Sequence, residues 1–348
     1  MNGKLPPKLW DAVRFEVNHR GVESQSILTG SSVPANMQNV FHTGTGRFSW
    51  LLMRPMSLYE SGESTGEVSL LSLFDNSTKI SGINKYTLED TAYLCCRGGW
   101  PRSIDMDKDI ALDQAYDYYD AVINSDISRV DNVTRNPERA KHLMRSYARN
   151  IGSQASNETL RNDMISNDLN TLDTDTVLSY INALKKIFVI EDAVAWNPNL
   201  RSKTAIRTSD TRYFVDPSIA VASLGLGPND LINDLHTFGL IFESLCIRDL
   251  RIYAESINGS VYHYRDASNL ECDAVIHLRN GSYGLVEIKL GGDNLINEAA
   301  DNLIKLKNKI DTDKMNNPAF LMILVASGKY AYKREDNILV VPITCLKP

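Results

Sequence analysis

The chain has 348 residues, of which 43% are hydrophobic and 23% charged, and its formal net charge at pH 7 is −6. A disordered chain has fewer apolar residues and more net charge per residue, so this composition indicates a folded protein. At roughly 100–200 residues per domain, the length predicts two or three domains. No apolar run reaches the length of about 18 residues that suits a membrane-spanning helix, and the N-terminus does not resemble a signal peptide. We therefore expect a cytoplasmic protein with no membrane partner.

The cysteines and histidines do not suggest a disulfide framework or a zinc site. The five cysteines are an odd number, two of them (Cys95 and Cys96) are adjacent, and the six histidines are scattered. A metal ion in this protein would therefore be a hard cation held by carboxylates. Because the net charge is mildly negative, any contact with nucleic acid is expected to be local.

The first elements predict a helix followed by a buried strand. Apolar residues at positions 9, 12, 13 and 17 keep near-helical spacing, and Gly21 ends the helix. The segment QSILTGSS then predicts a strand, and a continuously apolar strand needs neighbours on both sides. The residues before it are too few to supply them, which indicates the tail of a larger domain whose front is missing or is supplied by another chain. The following GTGRFS matches no phosphate-loop motif and is interpreted as a surface loop.

Residues 63–125 predict helices and loops that serve as a connector or lid, with a firm stop at Gly98-Gly99 and Pro101. In residues 126–222, Asn136-Pro137 starts one helix, a second starts near Ser156 or Asn157, and Asp173 caps a third. A predicted hairpin follows, with a basic loop inside it. Three helices and a hairpin form the layout of a winged helix, which often places its third helix in the DNA major groove. The segment has 13 basic and 12 acidic residues, so a structural or protein-contact role is as open as DNA binding.

Residues 228–348 predict a helix, three strands, a second helix and further strands, which together make a mixed sheet. A three-residue loop from Arg279 to Gly281, with positive φ at the glycine, pairs Asp273 directly with Glu287. With this register, Lys289 shares their face of the sheet, and the opposite face is uniformly apolar.

Two acids on adjacent strands repel each other unless a cation or a proton lies between them. A divalent ion between Asp273 and Glu287 would polarise a phosphodiester, and Lys289 could orient water or stabilise the developing charge. Mg²⁺ suits two carboxylates because it keeps several waters. The alternative is a salt bridge from Glu287 to Lys289 or Arg265 on an exposed strand.

Asp273, the run Glu287-Ile288-Lys289 and the helical Glu243 resemble the PD-(D/E)XK nuclease signature. Together the segments ILTGSS, GTGRFSWLLMRPMSLYESGEST, RGGWP, YFVDPSIA, FESLCIRDLR and ECDAVIHLRNGSYGLVEIKLGG resemble a prokaryotic family of AAA-type ATPases with a C-terminal domain of unknown function, of the DUF4143 type. The resemblance implies a mixed α/β protein with four parts. These are a C-terminal remnant of a P-loop AAA-type core (1–62), a helical lid (63–125), a winged helix (126–222) and a restriction-endonuclease-like domain (228–348).

The resemblance implies that Asp273, Glu287, Lys289 and Glu243 are catalytic and that Asp273 and Glu287 hold Mg²⁺. It also implies that four residues of the first part contact a nucleotide. Thr29 and Ser31 resemble the polar sensor position, and Arg47 or Arg54 resembles the arginine that reaches a nucleotide phosphate.

One departure from the family pattern concerns ATP. The sequence has no GxxxxGK followed by Ser or Thr, and no acidic Walker B strand. Without a phosphate loop ATP has no cradle, so ATP binding is expected only in full-length relatives. Two hypotheses follow: a truncated ATPase relative with a Mg²⁺-dependent nuclease-like domain, or a non-catalytic module that binds nucleic acid, a protein partner or a second copy of itself.

Overall fold

The computed structural model describes residues 7–22, 24–32, 46–75, 80–131, 133–165, 172–198 and 209–348. The first element is the predicted helix, α1 (Pro7–Arg20). Its buried Trp10 stacks on Phe48 with 4.1 Å between ring centroids. No helix in the described part of the chain is long and apolar enough to cross a membrane.

The buried strand predicted for residues 25–32 is wrong. This segment has no regular secondary structure, and Ile27 is 89% exposed. A strand forms only where a neighbouring strand satisfies its backbone groups, and none of the described strands lies beside this segment. Two predicted features lie outside the described residues. They are Gly44, the first residue of GTGRFS, and the basic loop of the predicted hairpin (Arg201, Lys203 and Arg207).

The predicted connector is tied to the C-terminal part of the chain by strand pairing. Val68 of the first short strand pairs in parallel with Leu346, and Gly82 of the second pairs antiparallel with Ala331. The elements of this region are β1 (Val68–Ser69), α2 (Leu70–Leu73), β2 (Gly82–Ile83), α3 (Leu88–Arg97) and α4 (Lys108–Ala121).

The helices predicted for the middle of the chain are confirmed, together with their caps. Asn136 accepts a hydrogen bond from the backbone N–H of Glu138, and Asp173 accepts one from that of Thr176. Two antiparallel bridges, Ile190 with Phe214 and Ala193 with Thr211, follow the third helix in place of a full hairpin. The helices are α5 (Ile127–Arg129), α6 (Pro137–Arg149), α7 (Asn157–Ile165), α8 (Thr174–Lys186), α9 (Pro217–Leu224) and α10 (Pro228–Asn233).

The C-terminal part is a mixed sheet between two helices. The strand order is β2-β7-β8-β6-β5-β4-β3, with β5, β6 and β8 parallel and the other neighbours antiparallel. One helix covers each face, with an apolar core under each. The elements are α11 (Leu235–Ser256), β3 (Gly259–Arg265), β4 (Glu271–Leu278), β5 (Tyr283–Lys289), α12 (Asp293–Lys309), β6 (Phe320–Val325), β7 (Tyr330–Lys333), β8 (Leu339–Pro342) and β9 (Leu346–Lys347).

The predicted register of the β4–β5 hairpin is confirmed. His277 pairs with Tyr283, and Ala274 pairs with Val286, as a three-residue loop requires. Gly281 takes the predicted left-handed conformation, with φ of 89°. As expected from this register, Ala274, Ile276, Val286 and Ile288 lie in the core with α11, whereas Val275, Tyr283 and Leu285 lie in the core with α12.

A buried ionic network joins the helical part to the sheet. The guanidinium of Arg248 contacts Asp216 at 2.9 Å and Asp249 at 2.7 Å, and all three side chains are almost fully buried. Both acids also accept a backbone N–H, Asp216 from Gly99 and Asp249 from Leu58, each at 2.9 Å. Four segments distant in sequence therefore meet at one fully paired buried cation.

We expect Arg248→Met to lower the free energy of unfolding by about 3–5 kcal/mol, because it leaves two buried carboxylates without their cation. Urea denaturation measures this change. The matched control is Arg334→Met, which breaks the partly exposed pair of Arg334 with Asp336 and should cost less than about 1 kcal/mol. Equal losses in the two variants would show that the buried network does not hold the parts together.

Candidate functional site

The structure brings three of the four predicted catalytic residues into direct contact. The Lys289 ammonium lies 3.2 Å from Asp273 Oδ2 and 2.8 Å from Glu287 Oε2. One ammonium therefore holds Asp273 Oδ2 and Glu287 Oε2 close together. The contact between Lys289 and Glu287 is also the salt bridge named as the alternative from the sequence, although Glu287 is only 2% exposed rather than on an open strand face.

Asp273 lies at an irregularity of β4 that the sequence did not predict. Tyr262 of β3 pairs with Val275, whereas Tyr264 pairs with Cys272, so β4 carries one extra residue in this interval. Such a bulge bends a strand and re-aims the side chain beside it, and bulges are over-represented next to active sites. Here the Asp273 carboxylate accepts the backbone N–H of Ile288 at 2.7 Å, in addition to the ammonium.

Glu243 reaches the site from α11 and is held by residues of the helical part. Its carboxylate accepts a hydrogen bond from the hydroxyl of Tyr213. Gly152, which follows α6, lies so close that a Cβ there would be 3.2 Å from Glu243 Oε1. Glu243 and Asp273 both line a cavity of about 30 Å³, which has room for roughly one water-sized group.

The electrostatics of the site favour positive charge or protons. Burial raises the pKa of Glu243 to about 8, and the charge of Asp273 adds to the effect. Burial and Asp273 likewise raise the pKa of Glu287 to about 8, although Lys289 opposes this shift. Burial alone would lower the pKa of Lys289, but Asp273 and Glu287 outweigh it and keep the ammonium charged.

The donor chemistry of Asp273 and Glu287 fits Mg²⁺. One oxygen of Glu287, Oε1, is buried and has no hydrogen-bond partner among the described residues. A buried carboxylate oxygen without a partner is costly, and a hard cation would satisfy it. No group of three His, Cys, Asp or Glu residues in the described part of the chain is arranged as a metal site. An ion here would therefore have two carboxylate ligands and keep several waters, as Mg²⁺ usually does.

The four residues predicted to contact a nucleotide lie outside this site. Thr29 and Ser31 are exposed. Arg47 is exposed and donates to the side chain of Asn18 at 2.5 Å. Arg54 forms salt bridges with Glu191, at 2.7 Å, and with Glu255. Its guanidinium is thus engaged by two carboxylates.

Sequence reasoning missed Tyr213, Gly152 and His263, which border the cavity beside Glu243. His263 lies on β3 opposite the bulge, its ring nitrogens contact Gln154 and the carbonyl of Ser209, and burial lowers its pKa to about 4. Tyr213 lies in the segment YFVDPSIA, whose only signal in the sequence is its resemblance to the family. No periodicity or spacing places these residues near Glu243, because the contacts form between distant parts of the chain.

Two domain models match this sequence. Residues 238–346 match a domain of unknown function (DUF4143), which contains all four predicted catalytic residues. Residues 88–230 match a second domain of unknown function (DUF8612), which contains Gly152 and Tyr213. The cavity beside Glu243 therefore has walls from both matched regions. Neither the curated proteins nor the solved structures include a match to this chain.

The raised pKa of Glu287 predicts how stability depends on pH. Glu287 has a pKa near 4.5 when unperturbed and about 8 in the fold. Below the lower value both states are protonated. As the pH rises from about 5 to about 8, Glu287 ionises in the unfolded chain but stays protonated in the fold. Ionisation stabilises the unfolded state, so the free energy of unfolding falls.

Because Glu287→Gln cannot ionise, its free energy of unfolding should fall less steeply over the same pH window, as measured by urea denaturation in the presence of a chelator. Glu298→Gln, an exposed position on α12, should keep the wild-type slope. Parallel curves for wild type and Glu287→Gln would contradict the buried, protonated state of this carboxyl.

Proposed function

We propose that the C-terminal domain is a Mg²⁺-dependent phosphodiesterase of the nuclease type, with Asp273, Glu287, Lys289 and Glu243 at its centre. The observation that supports this most is the unpartnered buried oxygen of Glu287 beside Asp273 and Lys289. Only a proton or a cation relieves such an arrangement of acids. A bound cation would explain three features together: the bulge beside Asp273, the closeness of Asp273 and Glu287, and the Glu287 oxygen without a partner.

Each residue has a distinct task in the proposed reaction. Asp273 and Glu287 would hold the ion. When bound, the ion would polarise the phosphodiester and lower the pKa of a bound water. Lys289, whose ammonium lies beside the two acids, would stabilise negative charge that develops on the phosphate oxygens. Glu243, whose raised pKa keeps a proton available near neutral pH, would donate it to the leaving oxygen. Tyr213 holds Glu243 in position.

We infer that this chain does not hydrolyse ATP. The resemblance to AAA-type ATPases rests on sequence motifs, and the sequence lacks the phosphate loop. Of the two arginines that resemble the family position, Arg54 is paired with two glutamates and Arg47 donates to Asn18. In this proposal the helical part and the sheet domain work without a nucleotide.

The second candidate is a non-catalytic module that binds nucleic acid or a protein partner through a degenerate nuclease fold. It is favoured by the position of the Lys289 ammonium, which already contacts both acids where a metal ion would have to bind. The small cavity, closed by Gly152 and Tyr213, points the same way, because a phosphodiester would have to displace these residues to reach Glu243.

Cleavage of supercoiled plasmid DNA and of single-stranded RNA by the full chain separates the two candidates. With Mg²⁺ or Mn²⁺ we expect cleavage that EDTA abolishes. Glu287→Gln should lower the rate at least about 100-fold, which corresponds to losing about 2.7 kcal/mol of transition-state stabilisation. Glu298→Gln removes the same charge from an exposed helix position and should retain the wild-type rate.

No cleavage of either substrate with any divalent ion would remove the catalytic proposal and leave the binding module. Equal rates for wild type and Glu287→Gln would instead show that a contaminating nuclease, or another site, does the work.

A further inference from the structure

The exposed face of α6 carries a row of positive side chains. Lys141 and Arg145 are exposed, and the side chain of Arg149 is 61% exposed. Residues four apart lie on one face of a helix, about 6 Å from one another along its axis. Glu138 is the one acid on this face, at its N-terminal end. The basic row thus contrasts with a chain whose net charge is −6.

These cations are largely uncommitted. Arg149 lies 3.7 Å from Asp163, and no salt bridge joins Lys141 or Arg145 to an acid within the described residues. On α8, the helix expected to enter a DNA groove, both basic residues lie near acids: Lys185 is 2.6 Å from Asp192, and Lys186 is 3.9 Å from Asp131. Of these two helices, α6 is therefore the one whose basic side chains are less engaged by acids.

The chemistry of this face fits phosphate better than protein or lipid. None of the large hydrophobic side chains that the described residues expose lies on α6. A membrane-surface helix needs an apolar face, and a protein interface usually has an apolar or aromatic anchor. A row of cations without such an anchor is complementary to a sugar-phosphate backbone, which binds through counterion release.

The position of α6 connects this face to the candidate active site. Gly152 follows the helix three residues after Arg149, and it lies against the carboxylate of Glu243. Its backbone N–H is fixed by the carbonyl of Arg212 at 2.9 Å. A strand of nucleic acid that runs along α6 toward its C-terminal end is thus led to the rim of the cavity between Glu243 and Asp273.

We propose that the basic face of α6, formed by Lys141, Arg145 and Arg149, docks double-stranded DNA through its phosphates and guides it to this cavity. The inference rests on the proposed phosphodiesterase function for its purpose, but the docking itself needs no catalysis. Contacts to phosphates carry no base information, so the binding should be independent of sequence.

The test is fluorescence anisotropy of a short labelled DNA duplex with the full chain in EDTA, so that no cleavage occurs. The double variant Lys141→Gln with Arg145→Gln should bind at least about tenfold more weakly, and the slope of log K against log salt should fall by about 2, close to one unit per lost phosphate contact. The control, Lys305→Gln with Lys307→Gln, removes two exposed charges from α12 and should change binding less than about twofold.

Equal weakening in both double variants would show that only net charge matters and would overturn the proposal. The proposal is also overturned if the wild-type protein does not bind DNA, or if it binds vesicles of phosphatidylserine and phosphatidylcholine instead of DNA. Equal melting temperatures of the two double variants exclude misfolding as the cause. Glu287→Gln should keep full DNA affinity, so an inactive site and a failed docking surface give different results.

Discussion

The burial of Arg248 is the constraint on which the rest of the structure depends. A guanidinium without solvent needs acids on more than one side, and Asp216 and Asp249 supply them from the helical part and from α11 itself. The two buried acids also accept backbone N–H groups, which come from Gly99 and Leu58. One desolvated charge thereby fixes how four segments of the chain meet.

Because Arg248 and Glu243 share α11, the same network sets the position of the candidate site. The network holds the helical part against α11, and in this arrangement Tyr213 and Gly152 lie against Glu243. The sheet contributes Asp273 at the bulge and, from the neighbouring strand, Glu287 and Lys289. The cavity that results belongs to neither part alone, which gives a physical reason for the two matched regions to occur in one chain.

The features that sequence predicted are local ones. The caps at Asn136 and Asp173, the turn at Gly281 and the hairpin register depend on residues within a few positions of each other, so spacing reveals them. The bulge beside Asp273 and the hydroxyl of Tyr213 depend on packing between distant segments, which no period encodes. The strand predicted for residues 25–32 failed for the same reason, since apolar character alone does not supply a pairing partner.

The central proposal is that Asp273 and Glu287 can bind a divalent metal ion. The ion would take the position where the Lys289 ammonium contacts both acids. A crystal structure of the full chain with Mn²⁺, measured at a wavelength where manganese scatters anomalously, tests it most directly. The account predicts an anomalous peak bonded to both carboxylates, with the ammonium displaced toward solvent. A site without such a peak, with Lys289 still contacting both acids, would contradict it.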